Sequence, residues 1–104
     1  LTESQYIEVA EKIWGWERHD HQVGDKYYIT IDSRILYDDQ LHKEVNSWEG
    51  FGRTMERFAG DMKYSPKFWA LIKPIIAQYL INQADDAVEQ FFKQIHLAAL
   101  EALK

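Results

Sequence analysis

Apolar residues recur along this chain in two distinct rhythms. Tyr6, Val9, Ala10, Ile13 and Trp14 fall at spacings of three and four, one stripe of a helix, which predicts a helix over 3–14. Thr2 and Gln5 stand at capping-box spacing, where hydroxyl and amide can each take the other's orphan backbone N–H. Gly15 suits the left-handed position that closes a helix, and Trp16 then folds back as an apolar contact. Residues 17–25 are polar, contain Gly24 and read as a loop. From Tyr27 the rhythm changes to two: Tyr27, Ile29 and Ile31 alternate with Tyr28, Thr30 and Asp32, a strand signal that continues through Ile35 and Tyr37. One long strand and a hairpin broken at Asp32-Ser33-Arg34 both fit this stretch.

Helical spacing returns with Val45, Trp48, Phe51, Met55, Phe58 and Ala59 and predicts a helix over 47–59, capped by Asn46 or Ser47 and ended by Gly60. Gly50 and Gly52 each cost this helix on the order of 1 kcal/mol relative to alanine, which points to close packing of its first turn. The stretch 61–82 admits two readings. Ser65-Pro66 makes a good helix start, and Phe68, Trp69, Ile72, Ile75, Ile76, Tyr79 and Leu80 keep helical spacing. Pro74 interrupts it, and 68–72 and 75–81 also read as two short buried strands. The local pattern favours a kinked helix. Last, Asp85 and Asp86 stand where a helix dipole favours carboxylates, ahead of the wide stripe Val88, Phe91, Phe92, Ile95, Ala98, Ala99, Ala102 and Leu103, a helix over 86–103. The expected fold is a single helix-rich α+β domain over 1–104, its helices packed around a small sheet that includes 26–31.

Composition narrows the function classes. At 104 residues with 46% hydrophobic content, the chain is one domain with enough surface to bury for a core. It has no cysteine, so disulfides, zinc–thiolate sites and a cysteine nucleophile are out. Glu3, Glu8 and Glu11 break any apolar leader, and the longest apolar run, Phe68 to Ile72, is far below the ~20 residues of a spanning helix; the cytoplasm is the expected compartment. The net charge of −5 is uneven. Acids crowd the first half, whereas Arg53, Arg57, Lys63, Lys67 and Lys73 form a basic waist.

The chemical candidates are few. His19-Asp20-His21, with Glu17 and Asp25 nearby, is the most metal-like cluster and would suit a metal-dependent hydrolase, with Asp38, Asp39 and His42 completing it only by tertiary approach. The ordinary reading is a solvated loop. No Gly-x-Ser-x-Gly elbow occurs, and Ser33, Ser47 and Ser65 sit in turn or cap contexts. Gly50-Phe51-Gly52 is not a phosphate loop. A nucleic-acid-binding module would use Arg53, Arg57 and Lys63, but the negative net charge opposes phosphate neutralisation. No cofactor is expected. The aromatic content of 14% is the larger signal. Trp14, Trp48 and Trp69 read as core, whereas Trp16, Tyr28, Tyr37 and Tyr64 are surplus to it and suit an interface, with Arg53, Arg57 and Lys63 as its charged members.

Three segments together resemble a known group: 9–16 (Val-Ala-Glu-Lys-Ile-Trp-Gly-Trp), 47–56 (Ser-Trp-Glu-Gly-Phe-Gly-Arg-Thr-Met-Glu) and 96–103 (His-Leu-Ala-Ala-Leu-Glu-Ala-Leu). They are similar to the small bacteriophage and prophage proteins of the phage ABA-sandwich domain type. That resemblance implies a sheet between helical layers, αβα sandwich-like, although Pro66 and Pro74 suit a strand poorly. It implies an accessory protein working inside a bacterial host cell and offers no catalytic residues. The function expected is therefore non-enzymatic: binding of a host or phage protein, with a homodimer as part of it, and in sharper form inhibition of a host defence or nucleic-acid enzyme.

Overall fold

The computed structural model describes residues 1–20, 26–30 and 33–104. Its first helix, α1 (Glu3–Glu8), starts with the Thr2–Gln5 capping box and continues as a π-helical segment, Val9–Ile13. Gly15 has φ +70, and the Trp16 N–H donates to the Ala10 carbonyl, so Trp16 turns back into the core. The sheet is antiparallel in the order β1 (Arg18–Asp20), β2 (Lys26–Ile29), β3 (Ile35–Tyr37). Tyr28 lies opposite Arg18 on one side and Leu36 on the other, while Tyr27 lies opposite His19 and Tyr37. The strand signal after Tyr27 thus resolves as a hairpin. Its turn holds Ser33 at φ 63, with the Ser33 N–H on the Thr30 carbonyl and the Thr30 N–H on Arg34. Ile31 and Asp32, counted in the expected strand and turn, lie outside the described residues.

Part of the expected 17–25 loop is a strand. Arg18–Asp20 carries no apolar alternation because β1 is an edge strand whose register is set by β2. Residues 21–25 lie outside the described residues. A 3-10 turn (Asp38–Gln40) and a short α2 (Leu41–Val45) lead to α3 (Trp48–Phe58). Ser47 is the cap of α3, accepting from the Gly50 N–H at 3.0 Å, whereas Asn46 ends α2 and donates its amide to the Tyr6 hydroxyl.

The 61–82 ambiguity resolves as one helix, α4 (Ser65–Ile81), with Pro74 inside it. Pro74 is tolerated because it and Ala70, whose carbonyl loses its helical donor, both lie on the exposed side where water can replace the bond. α5 (Ala87–Ala102) is the central element: it packs on α4, α3 and the π-helical segment. Phe58 and Phe68 stack at 4.0 Å, and Tyr79 stacks on Phe91 at 4.5 Å. Each such buried ring or aliphatic side chain is worth about 1.5–3 kcal/mol.

The helix-rich α+β architecture is therefore that expected. One sheet face carries Tyr28 and Leu36 into the core. The other presents Ile29, Ile35 and Tyr37, all exposed, and among the described residues no helical layer covers them.

Candidate functional site

A hydroxyl within hydrogen-bonding distance of an imidazole is the starting pair of nucleophilic catalysis, and the structure contains one. Thr54 Oγ1 on α3 is 2.9 Å from His96 Nε2 on α5, and it also accepts from the Trp14 indole N–H at 2.9 Å. His96 Nδ1 meets the Phe92 carbonyl at 2.8 Å. A carbonyl only accepts, so Nδ1 carries the proton, Nε2 accepts from Thr54, and the chain Trp14, Thr54, His96, Phe92 is satisfied at every atom. Burial pushes the His96 pKa down to about 4, against the opposing pull of the Phe92 and Gly50 carbonyls, so the ring is neutral. Both Thr54 and His96 have zero exposure. An open cavity of about 180 Å³ beside Trp14 is lined by Ile13, Trp14, Trp16, Arg53, Glu56 and Arg57, not by either of them. The pair pins three elements together and is sealed from substrate.

The metal-like cluster is not assembled by what is described. His19 stacks on Tyr27 at 5.4 Å, and Asp38 is taken by Arg18. No three His, Asp or Glu side chains come close enough together to hold a metal ion among the described residues, and His21 lies outside them. A cleft of about 750 Å³ is lined by Glu3, Arg18, Lys26, Tyr37, Asp38, Asp39 and Gln40; its cations are already paired, Arg18 with Asp38 and Lys26 with Asp20.

Of the seven residues assigned to an interface, the structure brings Tyr28 and Arg53 onto Trp16 and gathers Arg57, Lys63 and Tyr64 around Asp61, while Tyr37 lies apart on the other face of the sheet. Trp16 and Tyr28 are buried, which corrects the expectation that they are spare: Trp16 packs on Trp14 at 4.8 Å and Tyr28 on Trp16 at 6.1 Å. The Tyr28 hydroxyl points at Glu11, and burial together with that carboxylate raises its pKa to about 12. Arg53 is held by Glu44 and lies over the Trp14 and Trp16 rings at 5.5 and 5.2 Å. Arg57 is paired with Asp61, whose carboxyl is held below the usual range by Arg57 and by the Tyr64 and Lys63 N–H groups. Tyr64 is half-buried under the Lys63 ammonium. Only Tyr37 and Lys63 stand exposed. With Arg53 and Arg57 each neutralised by a carboxylate, the basic waist is weaker than the sequence suggests.

The exposed apolar surface lies elsewhere. Trp48 and Trp69, read as core, are 56% and 43% exposed. Trp48 packs in edge and tilted contacts against Phe51, Phe91 and Phe92. Trp69 projects from the outer face of α4 with Leu80 (73%) and Ile81 (71%), and Met62 (91%) stands just before that helix. α4 buries Phe68 and Ile72 inward and has apolar residues left over outward. The missed signal is that 65–81 is apolar all round, with only Lys67 and Lys73 charged, the pattern of a helix covered on both sides.

No family model matches the chain, and no curated protein or solved structure matches it.

Proposed function

We propose that this chain is a non-enzymatic binding module that works by protein–protein contact through the outer face of α4. The observation that carries the reading is the exposure of Trp69, Leu80 and Ile81 on a helix whose opposite face is already spent on the core. Isolated exposed apolar residues are ordinary; several on one helical face mark an interaction surface. The sealed Thr54–His96 pair and the internally paired charges of the cleft at Arg18 and Asp38 support a binding role over a catalytic one. No described helix is long and apolar enough to cross a membrane.

The likeness of 9–16, 47–56 and 96–103 to phage ABA-sandwich proteins supports a phage or prophage accessory protein working in the cytoplasm of a bacterial host. Its sharper form, inhibition of a host defence or nucleic-acid enzyme, rests on that likeness and on the acidic first half. The test is parallel affinity capture from bacterial lysate with the wild type and Leu80→Asp. The expected result is a discrete partner retained by the wild type and lost by the variant; identical recovery by both contradicts the proposal.

A further inference from the structure

We infer, resting on the reading of α4 as the contact face, that its occupant is an acidic amphipathic helix of a partner protein. Three observations select it. First, the exposed positions Trp69, Ala70, Lys73, Ala77, Leu80 and Ile81 recur at helical spacing, the ridge pattern into which another helix packs. Second, no acidic residue occurs from Met62 to Ala84, whereas Lys63, Lys67 and Lys73 do; all seventeen acids of the chain lie outside this stretch. Among the described residues Lys73 has no ion pair, and Lys63 only overlies the Tyr64 ring. Lys67 lies in the field of Glu101. An apolar ridge edged by unspent cations complements carboxylates flanking an apolar stripe.

Third, the charges disfavour the other occupants. Lys73 stands midway between Pro66 and Ile81, so two copies crossed antiparallel about the middle of this face would bring two unpaired ammonium groups together. An anionic bilayer extends beneath the whole molecule and repels its seventeen acids. A compact acidic helix reaches only the local lysines, because screening confines charge to about 8 Å at physiological salt.

The test uses two synthetic peptides of about 18 residues, long enough for five helical turns. One has a leucine stripe flanked by Glu; its twin has Lys in place of Glu. Binding to the full chain is read by fluorescence anisotropy, with sedimentation of the chain alone and with vesicles of equal phosphatidylglycerol and phosphatidylcholine as parallel arms. The expected result is that the Glu peptide binds about tenfold or more tighter than the Lys peptide. Lys73→Glu should then reverse that order, Lys73→Met abolish the preference, and Trp69→Ala weaken the Glu peptide about tenfold. Both positions are exposed, so an unchanged thermal melt verifies the fold of each of the three variants. Equal binding of both peptides, lost in Trp69→Ala, overturns the acidic partner while leaving α4 as a protein-binding face. No binding of either peptide, with self-association or vesicle binding in its place, overturns both.

Discussion

His96 is neutral because it is buried, and that has a measurable consequence. Its ring takes a proton in the unfolded chain near pH 6.5 but in the folded chain only near pH 4. The folded state's advantage is therefore complete above about pH 6.5 and disappears as pH falls toward 4. The loss is on the order of 3 kcal/mol. Urea titrations across that window should give a steep decline for the wild type and a shallower one for His96→Gln; equal slopes would show that the ring is not the titrating group. Arg53 offers a second test. Its guanidinium lies over two indoles and is held by Glu44, which Arg34 also contacts at 3.3 Å. Glu44→Gln should cost about 1–3 kcal/mol, because it strands a half-buried cation. Arg57→Ala should cost less than that, because its partner Asp61, just past the end of α3, still accepts from the Lys63 and Tyr64 N–H groups when the guanidinium is gone.

Elements meet most tightly where α2 hands over to α3. A Cβ at Gly50 would lie 2.2 Å from the Glu44 carbonyl oxygen and 2.9 Å from that of Val45, both main-chain atoms that cannot turn aside. A Cβ at Gly52 would meet nothing within 4 Å. Gly50→Ala is thus expected to destabilise by more than about 2 kcal/mol, and Gly52→Ala to stabilise by about 0.5–1 kcal/mol, both read from urea midpoints. The close packing inferred from the glycine pair belongs to Gly50 alone. Legibility at this scale followed the reach of the cause. The capping box at Thr2, the Gly15 closure and the span of α5 were readable because their determinants lie within a turn of the residues concerned. β1 was not, because Arg18-His19-Asp20 becomes a strand only through pairing with Lys26–Tyr28. The burial of Trp16 and Tyr28 and the exposure of Trp48 and Trp69 were missed for the same reason: a ring's periodicity places it on a face, and tertiary packing decides whether that face is covered.

At the scale of the molecule, α5 organises the helices and α4 is left half-used. Its inner side closes the core with Phe68 and Ile72, and its outer side carries Trp69, Leu80 and Ile81 with Lys73 among them. A second apolar face, Ile29, Ile35 and Tyr37 on the sheet, has Arg18, Lys26 and Arg34 near it, each already paired with a carboxylate. With the outer face of α4 proposed as the contact surface, substitutions at Trp69, Leu80 and Ile81 are expected to alter binding without altering stability. The most direct measurement is site-specific photocrosslinking in bacterial cells, with the reactive group placed in turn at Leu80, Ile35 and Arg57. The account predicts one discrete adduct from position 80 and none from positions 35 and 57. Adducts from position 35 with none from position 80 would contradict it and move the contact to the sheet.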